Sequence, residues 1–163
     1  MYRLENKIII VTGGNGLIGR QLVKKIKKEG AICYNADIKV NNSIDSEIYC
    51  NINDVKSVDS LIEKVFNKHG RIDGLVNNAY PRTEDWGNKF EDIKLESWKK
   101  NVDMQLNSVF YICQQVLKIM KKQEYGSIVN ISSIYGVVAS DFSVYENTDG
   151  MTSPAAYSAI KSG

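Results

Sequence analysis

The sequence predicts an α/β protein built on a doubly wound parallel sheet. Two observations predict it: short β-branched runs alternate with stretches of helical periodicity, and a glycine-rich turn follows the first run at once. With 163 residues, 43% of them hydrophobic, the chain is long enough to bury a core and fits a single domain over 1–163.

Taken in order, Ile8 to Val11 reads as the first strand and Ile18 to Lys28 as the first helix. Ala31 to Asn35 and Glu47 to Cys50 are the next strands, Val55 to Lys68 is the second helix, and Gly74 to Val76 is the fourth strand. A helix near Glu96 to Val102 leads to a long one near Leu106 to Lys122. In the long helix Val109, Phe110, Cys113, Val116, Leu117 and Met120 recur at three- and four-residue steps. A fifth strand spans Ser127 to Ile131, and Val137 to Thr152 is a long polar loop. The last helix starts at Ser153-Pro154, a serine N-cap followed by proline at the first helical position.

Composition narrows the function. Lys and Arg number 21 against 19 Asp and Glu, a net charge of +2 spread along the chain, which provides no basic arm for nucleic acid. No apolar run approaches the roughly 18 residues of a membrane span, and the charged start, Met1 to Lys7, lacks the apolar region of a signal peptide. A cytoplasmic protein is the expectation. Cys33, Cys50 and Cys113 are odd in number and lie in apolar or strand-like surroundings, so buried thiols are expected rather than disulfides or a metal site. His69 is the single histidine, which excludes His-Asp-Ser triads and multi-histidine metal centres.

After the first strand comes Thr12-Gly13-Gly14-Asn15-Gly16-Leu17-Ile18-Gly19, which places Gly14, Gly16 and Gly19 on a G-x-G-x-x-G pattern at a strand-to-helix junction. Glycines there permit a tight turn and close backbone approach, and the helix N-terminus offers free N–H groups to a pyrophosphate. Asp37, at the end of the second strand, would accept hydrogen bonds from adenosine ribose hydroxyls and repel a 2′-phosphate, which favours NAD over NADP. Lys39, two residues on, keeps NADP as the alternative, and Asp37 also fits a plain turn residue.

Tyr157 and Lys161 stand four residues apart, on one face of the last helix. The strand Ser127 to Ile131 leads to Ser132 and Ser133, hydroxyls at the carboxyl end of a strand, where ligands of open α/β sheets bind. With the segments Asn51-Ile52-Asn53-Asp54 and Asn77-Asn78-Ala79-Tyr80, these motifs make the chain resemble the short-chain dehydrogenase/reductase family over essentially its whole length. That resemblance implies a Rossmann-like fold and NAD(P)-dependent alcohol and carbonyl interconversion. Tyr157 is then the general acid/base, Lys161 the ammonium that favours phenolate and holds the ribose, and Ser133 the hydrogen-bond partner of the substrate oxygen. It further implies that Asn51, Ile52, Asn78 and Ala79 line the adenine and ribose, and that the backbone of Gly13, Asn15, Gly16, Leu17 and Ile18 surrounds the phosphates.

Several features depart from the family pattern. Gln105 occupies the place of the asparagine that completes the family's proton-relay tetrad, with Asn101 and Asn107 as alternatives if the helix register differs. Tyr80 stands where a glycine is usual. Ser133 and Tyr157 are 24 positions apart, a wider gap than in small family members. The long loop resembles that of sugar-nucleotide epimerases and dehydratases, while the central helix resembles the ordinary reductases, and the nearest likeness is to reductases of flagellin modification and surface polysaccharide synthesis. A sugar-derived substrate meeting Asp141, Ser143 and Asn147 follows, with a solvated insertion as the alternative. Two further readings compete: an epimerase or dehydratase that keeps its NAD bound, and a non-catalytic fragment. The family fold is expected to be truncated after the fifth strand and the start of the catalytic helix. The resemblance implies that the full-length form is a homo-oligomer paired through the long helix and the helix bearing Tyr157; the Val109 to Met120 stripe is wide enough to serve core and partner, and fits a core role alone equally well.

Overall fold

The computed structural model describes residues 3–41, 43–148 and 152–163. They separate into two compact units, one of residues 1–80 and 109–131, the other of 81–108 and 132–163.

The first unit is a parallel five-stranded sheet of order β3-β2-β1-β4-β5. Its strands are β1 (Ile8–Thr12), β2 (Ile32–Asp37), β3 (Glu47–Tyr49), β4 (Gly74–Asn77) and β5 (Ser127–Asn130). Every residue of β1 is buried because helices cover both faces of the sheet. Side chains alternate across a strand. Ile8 and Ile10 therefore join the core made with Val58, Leu61, Ile62 and Val65 of α2 (Val55–His69) and Ile112, Val116 and Met120 of α4 (Ser108–Gln123). Ile9 and Val11 face the other way, toward Leu22, Val23 and Ile26 of α1 (Leu17–Lys28). Each fully buried Ile or Leu in these layers, such as Ile10, Leu61 and Leu75, contributes roughly 1.5–3 kcal/mol. Helix α2 starts where the Asp54 carboxylate accepts from the Lys56 amide and stops at Gly70, φ 68°. The histidine at its end is structural: His69 Nε2 lies 2.7 Å from the buried Tyr34 hydroxyl.

Strand order reverses between β1 and β4, which opens a crevice at their carboxyl ends. There the chain turns so tightly that side chains have no room. A Cβ on Gly19 would lie 2.1 Å from the Gly13 carbonyl oxygen, and one on Gly13, φ 65°, would lie 2.7 Å from the Ala79 Cα.

In the second unit α3 (Leu95–Val102) runs into a π-helical turn, Asp103–Asn107, and α5 (Ala155–Ser162) carries the Tyr157 motif. Buried Trp86, Ala156 and Ile160 form its core, with Trp98, Val102, Leu106 and Tyr157 packed against them.

Two boundaries differ from the sequence expectation for an identifiable physical reason, while others shift by no more than two residues. The long helix is regular only from Ser108, because the π turn occupies the residues before it. Ser153 does not cap α5: Pro154 takes that position without a side-chain bond, and the Ser153 hydroxyl pairs with that of Ser140 at 2.6 Å. The polar loop contains one helical turn, Phe142–Tyr145, and its residues 149–151 lie outside the described residues. Cys33, Cys50 and Cys113 are free thiols, and burial pushes the first two up to about 11. Among the described residues no helix is long and apolar enough to cross a membrane, and no cluster of three or more His, Cys, Asp or Glu is placed to hold a metal.

Two predictions test this packing. Gly19→Ala should lower stability by about 1–3 kcal/mol in urea denaturation, whereas Gly87→Ala, where a Cβ meets nothing within 4 Å, should change it little; equal losses would refute the close approach. The second concerns Asp73, whose buried carboxylate accepts from the Ile8 amide at 2.7 Å and from Arg71 at 2.7 Å. Burial raises its pKa, but the bonds from Arg71 and Ile8 outweigh burial and hold it below the ordinary carboxylate value. Its contribution is therefore complete above about pH 4 and is lost as the pH falls through the lower, folded-state pKa. Asp73→Ala should cost about 1–3 kcal/mol at neutral pH by orphaning the Ile8 N–H, with the difference from the parent shrinking in acid.

Candidate functional site

In the first unit the glycine turn, the end of β2 and the end of β4 form one polar assembly. Helix α1 begins at Gly16 with no side-chain cap and no acidic residue in its first turn, so its leading N–H groups are open to an anion. Leu17 and Ile18 on that turn are 82% and 55% exposed, large apolar side chains left bare around the helix start. The Asn15 amide donates to Asp37 Oδ2 and the Lys39 amide to Asp37 Oδ1, each at 2.9 Å. Asn15 Nδ2 also donates to the Lys39 carbonyl. Asp37 thus serves both as the end of β2 and as a local acceptor, with both oxygens oriented by backbone N–H groups.

Thr12 joins β1 to β4, because its hydroxyl accepts from the amides of Asn78 and Ala79, each at 3.1 Å. The Asn78 side-chain amide returns to the carbonyls of Thr12 and Gly13 at 3.1 and 3.0 Å. Gly13, Asn15, Gly16, Leu17, Ile18, Gly19, Asp37, Asn78 and Ala79 are accordingly gathered around the crevice. Asn51 instead forms a turn, its Oδ1 accepting from the Asn53 amide and its own amide donating to Ser57 Oγ. Ile52 is buried in the larger core, where it packs rather than lining an open surface.

The second unit holds the remaining candidates. Tyr157 and Lys161 share a face of α5, with Lys161 Nζ 5.8 Å from the Tyr157 ring centroid. Burial lowers the Lys161 pKa. Ser133 caps a helical turn, Ile134–Gly136, and its hydroxyl accepts from the Tyr135 amide at 3.2 Å. That turn is fastened to α5 by three contacts. Ser132 Oγ donates to the Lys161 carbonyl at 2.7 Å, and Ser162 Oγ donates to the Gly136 carbonyl at 2.6 Å. A Cβ on Gly136 would come 2.4 Å from the Lys161 carbonyl oxygen, so only glycine allows the approach.

Of the three candidate relay amides, two are committed elsewhere. Asn101 accepts from the Thr83 amide and donates to the Thr83 hydroxyl, and exposed Asn107 donates to Asp103. Gln105 is 5% exposed, and neither its Oε1 nor its Nε2 has a partner among the described residues.

Two further side chains, Trp86 in the second unit and Asn35 in the first, have no sequence signal strong enough to single them out. Trp86 meets the Tyr157 ring edge to face, centroids 6.3 Å apart, from a loop of mostly polar residues. Asn35 is a buried polar residue in the middle of β2 whose Nδ2 donates to Asn15 Oδ1 at 2.8 Å. An asparagine inside an otherwise apolar strand is the clue that marks it.

Comparison with known proteins agrees with this geometry. A sequence profile of the family described as short chain dehydrogenase matches residues 7–162. The chain is 39% identical to post-translational flagellin modification protein A of Campylobacter coli, over 98% of its own length and 68% of that protein's. It is 35% identical to the 3-oxoacyl-(acyl-carrier-protein) reductase of Thermotoga maritima, over 83% of its own length and 58% of the reductase. Among solved structures, gox2181 matches with a TM-score of 0.84 at 30% identity, covering 100% of this chain and 65% of that one. A short chain dehydrogenase from Leptospira borgpetersenii with bound NAD+ matches with a TM-score of 0.83 at 27% identity, covering 98% and 62%. The chain thus spans between 58% and 68% of the length of these relatives. The parallel sheet with its glycine turn and the match over residues 7–162 lead to one conclusion: the chain belongs to the short chain dehydrogenase family, whose members bind NAD(P).

Proposed function

We propose that residues 1–163 form one NAD(P)-binding domain of an oxidoreductase that interconverts an alcohol and a carbonyl. The observation that carries this reading is the turn after β1, where Gly13 and Gly19 leave no space for a Cβ beside an uncapped helix start. Such a cradle fits a pyrophosphate. The Asp37 carboxylate, with two of its roughly four lone-pair sites taken by backbone amides, retains acceptors for ribose hydroxyls and favours NAD over NADP. Asn78 and Ala79, bonded to Thr12 at the crevice, complete the adenosine side.

When bound, the nicotinamide supplies hydride chemistry. The chain's own residues handle the proton and the substrate oxygen. Tyr157 exchanges a proton at its phenolic oxygen, and the partly desolvated Lys161 ammonium on the same helix face favours the phenolate. Ser133 donates a hydrogen bond to the substrate oxygen, and the Gln105 amide, without a partner among the described residues, holds the relay water as fourth member of the set.

For the substrate, the reading is a sugar-derived carbonyl, as the long loop's resemblance to that of sugar-nucleotide epimerases and dehydratases implies. The loop from Val137 onward supplies polar groups for it, including Asp141, Ser143 and Asn147. Exposed Phe110 and Leu117 on α4 support pairing of subunits into a homo-oligomer, in a cytoplasmic enzyme.

Titration with NADH and NADPH, followed by fluorescence, should give saturable binding with NADH preferred; a folded chain that binds neither overturns the reading. Tyr157→Phe should leave NADH binding unchanged but cut carbonyl-dependent NADH oxidation by at least about 100-fold. Undiminished turnover in that variant would remove Tyr157 from its role.

A further inference from the structure

Asn35 sits in β2, 3% exposed, on a strand whose following residues are all buried. Its Nδ2 donates to Asn15 Oδ1 at 2.8 Å, while its Oδ1 is buried with no partner among the described residues. A buried amide with one orphaned atom is a poor source of stability, because the desolvation of that atom goes uncompensated. An apolar side chain of similar volume would fill the space without that cost. What the amide does provide is a hold on Asn15.

The glycine turn grips the end of β2 through Gly13, whose amide donates to the Ala36 carbonyl at 2.8 Å, and through Asn15. The Asn15 backbone amide donates to Asp37 Oδ2, and its side-chain amide donates to the Lys39 carbonyl. The Asn35 bond leaves Asn15 Oδ1 pointing at β2, so three contacts converge on this one loop residue. Beside it, a Cβ on Gly14 would come within 2.0 Å of Asn35 Oδ1, so the turn lies directly over the asparagine.

We propose that Asn35 is a positioning residue for the cofactor, acting through Asn15. It latches the glycine turn to β2 so that the Asn15 amide and the Asp37 carboxylate are oriented before an adenosine ribose arrives. The inference rests on the nicotinamide-dinucleotide reading given above. Preorganisation of this kind raises affinity by reducing the ordering that binding would otherwise require.

NADH titration of the parent chain, Asn35→Leu, Asn15→Ala and the double variant, with thermal melting of each, tests it. Asn35→Leu should bind NADH about fivefold more weakly, the worth of one net hydrogen bond, with a melting temperature no lower than the parent's. Because both residues act through one contact, the double variant should bind no more weakly than Asn15→Ala alone. An unchanged dissociation constant in folded Asn35→Leu overturns the proposal, as does a double variant whose losses multiply. Should Asn35→Leu not fold, the role is structural and the proposal fails; Asn15→Ala with parental NADH affinity overturns it independently. A parent chain that binds no NADH overturns the cofactor reading itself, whereas a binding parent with unaffected variants overturns only this inference.

Discussion

The first unit depends on one close approach of backbone to backbone. The Gly13 carbonyl oxygen accepts from the Gly16 amide at 3.0 Å and from Asn78 Nδ2 at 3.0 Å, and it occupies the space where a Gly19 side chain would project. Remove either glycine and α1 must tilt or shift, because backbone atoms cannot yield as a side chain can. With the approach intact, α1 starts directly at the end of β1, its free N–H groups face the crevice where strand order reverses, and Thr12 can bind the amides of Asn78 and Ala79. The position of the helix start follows from sterics, and hydrogen bonds then fix its details.

The second unit repeats the device on a smaller scale. Gly136 touches the carbonyl of Lys161, and the hydroxyls of Ser132 and Ser162 close the same contact from both sides. The turn that bears Ser133 and the helix that bears Tyr157 are thereby tied by one backbone approach and two serine hydroxyls. Trp86 adds an apolar stop against the Tyr157 ring, whose edge-to-face contact restricts the orientations the phenol can adopt.

What could be read from the sequence is what the backbone dictates. The glycines of the first turn, the β-branched run of β1 and the start of α2 at Val55 each have a local physical cause, and each lies where the sequence placed it. Ser153 shows the limit: serine before proline is a sound helix-start signal, yet a hydroxyl partner distant in sequence, Ser140, displaced it from capping. The stripe on α4 also divided. Val116 and Met120 are core, as is Ile112 between the expected positions, while Phe110 and Leu117 face outward. Asn35 and Trp86 escaped notice because their meaning comes from partners 20 and 71 positions away, Asn15 and Tyr157, which periodicity cannot reveal.

The π turn explains why the relay position was ambiguous in sequence. A count at 3.6 residues per turn assigns each amide a direction only while the helix remains regular. Here the Ser108 amide bonds to the Asp103 carbonyl, five residues back, so one extra residue is accommodated before α4 begins. The Met104 carbonyl, four residues before Ser108, would have accepted that amide in a regular helix; the Ser108 hydroxyl reaches it instead at 2.5 Å. That hydroxyl bond gives the Met104 carbonyl a donor within the wider turn. Within the turn Gln105 is buried while Asn107, two residues on, is exposed and bonded to Asp103. A buried amide whose two polar atoms lack partners is expensive to maintain in a segment that has already forgone regular helical bonding. Costs of that kind concentrate where a protein needs a particular group in a particular place, which is the physical ground of the proposal that Gln105, rather than either neighbouring asparagine, takes the relay position.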